Sequence, residues 1–449
     1  MSPFVEFNEQ FAFAYDCLEN GREHLFITGK AGTGKSTLLQ YFRAHTRKNV
    51  VVLAPTGVAA VNVQGQTIHS FFRFKPDITP ESVIKIKLRK IQKELYRKID
   101  TIVIDEISMV RADLLDCVDT FLRLYGKEAD KPFGGIQMVL FGDLYQLPPV
   151  VPRMEKDIFT DVYPSPYFFD SNVYRSLPVK VIELNKIYRQ KEENFIRLLG
   201  AIRNKIVNQQ HLEFLNTRYL PEFEPSDEEL YIFITTTNAL ADQINREQLD
   251  RLKTRPYRFD GLLEGDFDTK SLPTHQALDI KFGAQIMMLN NDPKGQWVNG
   301  SLGRVAAVLG EDADTALVRV QLENGNTIDV APFTWEMFRF SYNEETKRLE
   351  SRSIGSFTQY PLKLAWAVTI HKSQGQTFEK VILDIGKGTF AHGQIYVALS
   401  RCTSLAGIVL KKPILKKHIL LDWRVVQFMH TLQPSVTTQV STSENTAMV

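Results

Sequence analysis

The sequence predicts an α/β protein with two lobes, each built around a parallel sheet. Short apolar runs, most of them rich in β-branched residues, recur along the chain, and each is followed by a polar loop. Buried parallel strands have this pattern. The runs form one group before residue 180 and a second group after residue 230, and a chain of 449 residues is too long for one ordinary core.

The first lobe is predicted over residues 1–182 as a doubly wound sheet. Its strands are the runs "EHLFIT" (23–28), "VVVLA" (50–54), "TIVI" (101–104) and "QMVLF" (137–141). Open parallel sheets bind their ligands beyond the carboxyl ends of the strands. The loops that follow these runs are therefore the candidate sites of this lobe.

A small accessory insertion is predicted within the first lobe, at about residues 70–98. Its segment "KIKLRKIQKELYRK" (85–98) contains seven basic residues and one glutamate, a net charge of +6. Basic residues recur every four positions beside an apolar stripe, which predicts an amphipathic helix. A solvated helix face and a surface that contacts a nucleic acid duplex both fit this pattern. The basic face would consist of Lys85, Arg89, Lys93 and Arg97, and the stripe of Ile84, Leu88, Ile91 and Leu95.

The second lobe is predicted over residues 183–303 and 358–433. Its strands are the runs "LYIFITTTN" (230–238), "LAWAVTI" (364–370) and "KVILDI" (380–385), which have the same character as those of the first lobe. The sequence therefore predicts two similar sheets in one chain.

A small β-barrel is predicted as an insertion in the second lobe, at residues 304–357. The runs "GRVAAVL", "ALVRVQL" and "NTIDVAP" alternate apolar and polar residues, and Asn324-Gly325 supplies a tight turn between the last two. The pattern fits a small antiparallel barrel or sandwich, and we expect a barrel of the Src-homology-3 type. The tail at residues 434–449 is rich in serine and threonine and is expected to be disordered.

Composition narrows the class of protein. The 54 Lys and Arg residues against 52 Asp and Glu leave a net charge of only +2, so any binding of nucleic acid must use a local basic surface. Cys17, Cys117 and Cys402 lie far apart and have no zinc-ligand spacing, which disfavours a zinc site and a disulfide framework. Neither a signal peptide nor a membrane-length apolar run is found. We expect a soluble intracellular protein with no membrane association, in the cytoplasm or nucleoid if the source is bacterial.

The loop "GKAGTGKS" (29–36) follows a predicted strand and opens an apparent helix. Glycines at this spacing let backbone N–H groups close around phosphate oxygens, while Lys35 neutralises the β and γ phosphates and the Ser36 hydroxyl binds magnesium. A glycine-rich surface turn is the alternative, and the strand-to-helix context argues against it. The candidate nucleotide-binding residues of this loop are Gly29, Gly32, Thr33, Gly34, Lys35, Ser36 and Thr37.

Two further strand ends carry candidate catalytic residues. Asp105 and Glu106 follow "TIVI", where the aspartate can hold the magnesium ion from beyond its direct ligands and the glutamate can polarise an attacking water. Gln146 follows "QMVLF" and either contacts the γ-phosphate or is a loop amide that satisfies backbone groups. Together with the phosphate loop, these residues predict hydrolysis of a nucleoside triphosphate.

The motifs and their order resemble the petite-integration-frequency helicases, which are related to RecD in the 5′-to-3′ branch of helicase superfamily 1. The resemblance extends from residue 8 to about residue 430, and residues 113–137 are similar to the segment that separates this family from RecD. Beside the phosphate loop, it rests on "NEQ" (8–10), "LAPTGVAAVNVQGQTIHSFF" (53–72), "IDEISMV" (104–110), "KPFGGIQMVLFGDLYQLPPV" (131–150), "ELNKIYRQ" (183–190), "WVNGSLG" (297–303), "AWAVTIHKSQGQTF" (365–378) and "YVALSR" (396–401).

The resemblance implies two RecA-like P-loop lobes that use ATP and Mg²⁺. It implies that Gln10 contacts the adenine edge and that Arg189 and Arg401, both from the second lobe, are arginine fingers on the γ-phosphate. An arginine supplied across a cleft stabilises charge only when the lobes close. The implied catalytic residues are Lys35, Asp105, Glu106, Gln146, Arg189 and Arg401, and the implied metal ligands are Ser36 and Asp105.

The resemblance also answers why a second polar loop follows "LAWAVTI". Two lobes that open and close around ATP can move along a strand only if each lobe grips it. The second lobe would use His371, Lys372 and Ser373 toward phosphates, with Gly375 and Gln376 toward the nucleotide cleft. The remaining residues implied to bind DNA are Pro55, Thr56, Gly57, Thr67, His69, Ser70, Asn238 and Asn299.

The implied function is an ATP-dependent DNA helicase that moves 5′-to-3′ on single-stranded DNA and unwinds duplex, forked or structured DNA in genome maintenance, as a monomer. A DNA-stimulated ATPase subunit without its own unwinding activity is an alternative. A P-loop phosphotransferase such as a nucleotide kinase would need no second lobe carrying Arg189 and Arg401. A nucleic-acid scaffold with a vestigial ATPase is disfavoured because Lys35, Glu106 and both arginines are intact.

Overall fold

The computed structural model describes residues 8–151, 159, 161–226, 228–310, 316–386, 388–389 and 391–432. The tail predicted to be disordered, residues 434–449, lies outside the described residues. In the described part of the chain, no helix has the length and apolar character required to span a bilayer.

The described strands run from β1 to β20 and the helices from α1 to α13. The strands are β1 His24–Gly29, β2 Val50–Ala54, β3 Gln66–Thr67, β4 Thr101–Ile104, β5 Gln137–Phe141, β6 Val179–Leu184, β7 Ile232–Thr235, β8 Pro256–Asp260, β9 Leu262–Gly265, β10 Ala277–Lys281, β11 Gln285–Met288, β12 Leu302–Leu309, β13 Leu317–Leu322, β14 Thr327–Val330, β15 Phe333–Asn343, β16 Arg348–Gln359, β17 Leu362–Leu364, β18 Ala367–Thr369, β19 Val381–Leu383 and β20 Ile408–Leu410. The helices are α1 Glu9–Glu19, α2 Lys35–His45, α3 Gly57–Asn62, α4 Ile68–Phe72, α5 Pro80–Val83, α6 Lys90–Lys98, α7 Ala112–Tyr125, α8 Asn172–Arg175, α9 Glu193–Arg203, α10 Gln209–Asn216, α11 Asn238–Arg251, α12 Gln394–Ser400 and α13 Trp423–Thr431.

The first lobe contains a six-stranded parallel sheet in the order β3-β2-β4-β5-β1-β6. Strands β2, β4 and β5 coincide with the predicted runs, and β1 is shifted by one residue. Because all six strands are parallel, the phosphate loop after β1 and the polar loops after β4 and β5 open on the same edge of the sheet. The predicted parallel α/β sheet of this lobe is confirmed.

The first sheet extends further along the chain than its predicted end at residue 182. Strand β6 pairs with β1 over six residues, with His24 opposite Val179 and Gly29 opposite Leu184. A division between residues 182 and 183 would therefore cut through a strand. The segment after β6 is the connection from this sheet to the second lobe.

The second lobe contains a four-stranded parallel sheet in the order β18-β7-β19-β20. Apolar residues of its strands, such as Ile234 and Leu383, belong to the same large core as Ile104 of the first sheet. Both predicted parallel sheets are therefore present, and they are joined by a continuous core.

Antiparallel strands lie within the predicted interval 304–357 and also on both sides of it. The five-stranded sheet has the order β14-β13-β12-β11-β17, the three-stranded sheet has the order β15-β16-β9, and β8 pairs with β10. The strands that the interval omits are β8 to β11 and β17, because short runs such as "PYRFD" have no strong alternating pattern. The barrel type and the domain boundaries remain predictions.

The long hairpin of β15 and β16 reaches from the insertion to the first lobe. Phe340 is buried, and its ring lies 6.0 Å from that of Phe71, edge to face. The backbone N–H of Leu349 donates to Asn49 Oδ1 over 3.0 Å, and Lys98 lies 5.2 Å from the ring of Tyr342. The insertion is therefore attached to both lobes.

The predicted basic helix at residues 85–98 is shorter in the structure. Arg89 has an extended backbone (φ −69°, ψ 157°), and its N–H donates to the Oε1 of Gln92, so the helix begins only at Lys90. The prediction of one basic face was therefore wrong for Lys85 and Arg89, since an amide capping interaction starts the helix after them. Lys93 and Arg97 do lie on α6, which packs against β15 and β16.

Candidate functional site

The phosphate loop connects β1 directly to α2. Gly32 (φ +80°) and Gly34 (φ +88°) have left-handed backbones that glycine adopts without strain. A Cβ on Gly32 would lie 2.6 Å from the Cβ of Arg189, and the N–H of Tyr188 donates to Gly32 O over 2.8 Å. The loop therefore needs glycine both for its turn and for the close approach of the chain that leaves β6.

The remaining side chains of the loop serve two purposes. Thr33 is buried and its hydroxyl donates to Lys30 O over 2.9 Å, which stabilises the turn itself. Ser36 is exposed and Thr37 half-buried in the first turn of α2, where a helix N-terminus favours anions. The structure thus leaves the Ser36 hydroxyl accessible and uses that of Thr33 internally.

Lys35 lies at the centre of a group of charges. Its Nζ donates to Gly29 O over 2.7 Å and to Lys30 O over 3.0 Å. Burial lowers the pKa of this ammonium group, while the carboxylates of Asp143 and Glu106 act in the opposite direction. The cation therefore faces acidic groups that follow β4 and β5, as the sequence predicted for a phosphate loop.

Asp105 and Glu106 follow β4. Asp105 Oδ1 accepts from the N–H of Glu106 over 2.9 Å, and burial raises the pKa of Asp105. Burial and the neighbouring Asp105 raise the pKa of Glu106 to about 7, against the opposing effect of Lys35 and Arg401. Glu106 also has a left-handed backbone (φ +50°), which is strained for a residue other than glycine. A strained, desolvated carboxyl with a near-neutral pKa has the properties of a general base.

A buried ion pair that the sequence analysis missed lies beside them. Arg203 on α9 donates from Nη2 to Asp143 Oδ1 over 3.1 Å, and the guanidinium lies 4.0 Å from the ring of Tyr145. Burial alone would raise the pKa of Asp143, but Arg203 and Lys35 hold it below its usual value. Asp143 could have been identified from the sequence because it follows the end of β5, as Asp105 follows the end of β4. Arg203 belongs to no motif.

Gln146 is buried between the lobes. Its Nε2 donates to Asp143 Oδ2 over 3.4 Å, and its Oε1 accepts from Gln374 Nε2 over 3.4 Å. The resemblance placed Gln376 of the second-lobe loop toward the cleft. The structure brings Gln374 to Gln146, and Gln376 lies against Gly300, where an added Cβ would be 3.4 Å away. The contact of Gln376 with the nucleotide stays a prediction.

Arg401 is only 2% exposed and is held by second-lobe acceptors. Its Nε donates to Val397 O over 3.0 Å, and its Nη2 donates to Ser400 Oγ over 3.0 Å. Burial and Arg189 lower the pKa of Arg401 to about 9, while Glu106 acts in the opposite direction. Arg401 of the second lobe and Glu106 of the first lobe are thus close enough for their charges to interact.

The resemblance implied that Arg189 belongs to the second lobe. In the structure, Arg189 lies between the two lobes. It follows β6 of the first sheet, packs on Gly32 and donates from Nη1 to Ser400 O over 3.1 Å. Burial lowers its pKa. Both predicted arginine fingers are therefore brought together with the phosphate loop.

Gln10 and a tyrosine form the outer rim of the phosphate loop. Gln10 Oε1 accepts from the N–H of Asn185 over 3.1 Å, and Asn8 Nδ2 donates to the hydroxyl of Tyr188 over 2.9 Å. Tyr188 is 43% exposed, and a Cβ on Gly34 would lie 3.8 Å from its ring. This exposed ring, which the sequence analysis did not single out, stands beside the region where the resemblance places an adenine base.

The second-lobe loop, residues 370–379, presents only some of the predicted strand-binding residues. Lys372 is exposed and His371 half-buried, and burial lowers the pKa of His371. Ser373 is fully buried, and its Oγ donates to Ile370 O over 2.8 Å, so the predicted contact of this hydroxyl with a phosphate is corrected. Gly375 is exposed with a left-handed backbone (φ +78°).

The first lobe carries the other predicted strand-binding residues at the starts of two short helices. Thr56 Oγ1 accepts from Ala59 N over 3.3 Å, and Thr67 Oγ1 accepts from Ser70 N over 3.1 Å. Both hydroxyls therefore cap helices. The groups left to bind an anion at these two places are the backbone N–H groups of the helix N-termini. Of the remaining predicted residues, Pro55, Gly57, His69 and Asn299 are half-buried, and Ser70 and Asn238 are exposed.

Two protein-family models match this chain. The family model described as PIF1-like helicase matches residues 9–211, and that of the UvrD-like helicase C-terminal domain matches residues 364–409. The ATP-dependent DNA helicase Pif1 of Campylobacter jejuni is 32% identical over 404 residues, covering 85% of this chain and 87% of the relative.

Solved structures give the same answer. The crystal structure of Bacteroides sp Pif1 in complex with ADP-AlF4 is 38% identical, covers 95% of this chain and 97% of that chain, and has a TM-score of 0.88. The crystal structure of Bacteroides Pif1 bound to ssDNA has the same identity and coverage of both chains with a TM-score of 0.67.

Proposed function

Because this chain belongs to the PIF1-like helicase family and is an ATP-dependent DNA helicase, we propose that it hydrolyses ATP in the cleft between Lys35 and Arg401 and couples hydrolysis to movement along single-stranded DNA. One observation carries this proposal. Glu106, whose pKa is raised to about 7, is influenced by Lys35 of the first lobe and by Arg401 of the second. The 5′-to-3′ direction is consistent with the family, which acts in genome maintenance.

The donor atoms in this cleft fit Mg²⁺. In the described residues, no three His, Cys, Asp or Glu side chains gather closely enough to hold a metal ion by themselves. Mg²⁺ is typically bound by one or two protein oxygens together with substrate phosphates and water. Ser36 and Asp105 would hold it, and when bound it would neutralise charge on the β and γ phosphates. The raised pKa of Asp105 supports this assignment because a cation would stabilise its charged form.

The chain's own groups divide the remaining chemistry. Backbone N–H groups of the phosphate loop and Lys35 bind the phosphates, and Glu106 accepts a proton from the attacking water. Arg189 and Arg401 stabilise the charge that develops on the transferred phosphoryl group. Gln10 and Tyr188 support the base. Gln146 orients the water or the γ-phosphate and, through Gln374, connects that position to the second-lobe loop.

The same loop connects hydrolysis to strand binding. Arg401 Nη1 donates to the carbonyl oxygens of Ser373 and Gln376 over 3.5 and 3.4 Å. Movement of Arg401 toward a phosphate would therefore shift the loop that carries His371 and Lys372. We assign these two residues and the helix N-termini after Thr56 and Thr67 to the grip on the strand. Duplex or forked DNA is the proposed unwinding substrate.

The insertion is proposed to change position when the strand binds. This chain overlays with a TM-score of 0.88 on the Bacteroides complex with ADP-AlF4 and of 0.67 on the Bacteroides protein bound to ssDNA, at equal coverage. The hairpin contacts from Phe340 to Phe71 and from Leu349 to Asn49 would separate in this movement. They hold the insertion against the first lobe in the arrangement described here.

The testing experiment measures ATP hydrolysis with and without single-stranded DNA, and unwinding of a 5′-tailed fork. We expect strong stimulation by the strand and unwinding that requires ATP. Lys35→Ala should abolish hydrolysis while it retains the fold and strand binding. Stimulation without unwinding would favour the ATPase subunit alternative, and hydrolysis in the Lys35→Ala variant would exclude the assigned site.

A further inference from the structure

One face of the inserted five-stranded sheet is packed against the second-lobe loop. Met287 on β11 is paired with Leu302 on β12 and with Lys363 on β17. Side chains opposite one another across paired strands share a face, so these three form a row. Met287 and Leu302 are buried in the same core as Ile370 and Phe378. Ile370 is the first residue of the second-lobe loop, and Phe378 lies one residue before its end. Lys363 therefore lies at the end of this row, at the junction of the insertion and the second lobe.

Lys363 is half-buried without a group of opposite charge. In the part of the chain that the structure describes, no carboxylate or carbonyl oxygen accepts a hydrogen bond from its Nζ. Burial, and after it the charge of Lys372, lower the pKa of Lys363 to about 8. Strand β11, "QIMM", contributes no titratable side chain to this face, and the loop contributes His371 and Lys372. Lys363 and Lys372 thus lie on the two sides of this junction, near enough for the charge of Lys372 to act on Lys363.

We propose that Lys363 and Lys372 together bind one phosphodiester group of the single strand, so that the strand joins the insertion to the second lobe. This inference rests on the proposed function, in which Lys372 contacts the strand. Neighbouring cations without an anion destabilise the free protein, and a phosphate placed between them removes that repulsion. Lys363 is not among the residues that the sequence motifs identify.

The surroundings favour the strand over the nucleotide as the source of the phosphate. The nucleotide phosphates are assigned to Lys35, Arg189 and Arg401, whereas Lys363 lies on the insertion. Asn299, which lies between β11 and β12 and is also expected to contact the strand, has a buried Oδ1 with no hydrogen-bond partner among the described residues. This amide oxygen accepts from a donor such as a base N–H group, so it would contact a base of the strand while the two lysines hold the phosphate.

The test compares Lys363→Gln with the parent protein in binding of a fluorescent oligonucleotide at several salt concentrations. We expect affinity at low salt to fall on the order of fivefold, and the loss to shrink as salt rises, because a charged contact is screened. The same variant should unfold at an equal or higher temperature than the parent, since an unpaired charge is removed. Lys363→Arg should keep strand affinity and lose the parent's decrease in affinity above about pH 8.

Matched measurements separate the outcomes. Lys417→Gln removes an exposed lysine elsewhere in the second lobe and should bind the strand as the parent does. Parent-like affinity of Lys363→Gln at low salt, or a loss of the same size at every salt concentration, overturns the inference. A raised KM for ATP with unchanged strand affinity would reassign Lys363 to the nucleotide and also overturn it. If the parent itself does not bind single strands, the proposed function fails instead.

Discussion

Gln374 of the second lobe donates a hydrogen bond to Gln146 of the first, with 3.4 Å between Nε2 and Oε1. Gln146 donates in turn to Asp143, and Asp143 is paired with Arg203 on α9. Asp143 also acts on the pKa of Lys35. A row of polar contacts thus crosses the cleft at the phosphate loop. Closure of the lobes is therefore coupled to the position of Lys35, which binds phosphate.

Glu106→Gln is expected to bind ATP and hydrolyse it on the order of a hundredfold more slowly, because an amide cannot accept the proton. In the parent, kcat/KM should rise as pH rises through about 7, since Glu106 must be ionised to act and its pKa is raised to about 7. Steady-state hydrolysis at saturating single strands measures both effects. A pH profile that is flat between 6 and 8 would contradict the role of Glu106.

Changing Arg189 or Arg401 to alanine should lower kcat far more than nucleotide affinity, because their interaction strengthens as charge develops on the phosphoryl group. We expect a loss of roughly a hundredfold or more in kcat. Nucleotide affinity is measured separately by equilibrium binding. Equal losses in the two quantities would mean that the arginines only bind the ground state. Arg197→Ala, exposed on α9, is the control.

Arg203→Met should destabilise the protein by about 3–5 kcal/mol, because it leaves Asp143 buried without its cation. The folded-state pKa of Asp143 is depressed, so the stability it contributes is present above its unfolded pKa and is lost as pH falls. Arg203→Met should therefore flatten the acid side of the stability profile. Urea unfolding at pH 7 and at pH 3, which is below the ordinary pKa of 3.8, measures this. Adding Asp143→Asn to Arg203→Met should recover part of the loss.

Glu323→Gln is expected to stabilise the protein above neutral pH. Burial and Glu379 raise the pKa of Glu323 to about 7, and its buried Oε1 has no hydrogen-bond partner among the described residues. Since the folded pKa exceeds the unfolded one, stability falls as pH rises from about 4.5 to about 7. After allowance for solvent screening, a gain of about 1 kcal/mol at pH 8 is expected. Thermal unfolding should show little gain at pH 4 and none for Glu345→Gln, an exposed control.

Phe340→Ala should raise the affinity for single-stranded DNA, on the order of threefold, if the hairpin contact with Phe71 competes with the strand-bound arrangement. Because Phe340 also belongs to the large core, the unfolding temperature of the variant is measured beside its affinity. Fluorescence anisotropy measures the affinity, and Phe338→Ala, half-buried on the same strand, is the matched control. Reduced strand affinity in the Phe340→Ala variant would show that the contact supports binding.

Sequence patterns predicted the parts of this protein whose structure is determined by residues adjacent in the chain. Buried parallel strands such as "TIVI" are continuous apolar runs, and the phosphate loop is a fixed spacing, so both were located from the sequence. Arg203, Gln374 and Lys363 were not, because each acquires its role from a neighbour that is distant in sequence. Strands β15 and β16 were not identified individually, because strands of 11 and 12 residues with mixed polarity lack a clean alternation. The helix predicted from residue 85 failed at Arg89, where a single capping hydrogen bond outweighed periodicity.

The hairpin contact with the first lobe can form only late in the synthesis of the chain. The aromatic group of Phe71 and Tyr96 belongs to the first lobe but is covered by Phe340, which is translated more than two hundred residues later. At roughly 5–20 residues per second, this apolar surface stays uncovered for on the order of ten seconds or more on the ribosome. A truncated chain that ends before the hairpin should therefore aggregate through this exposed aromatic surface.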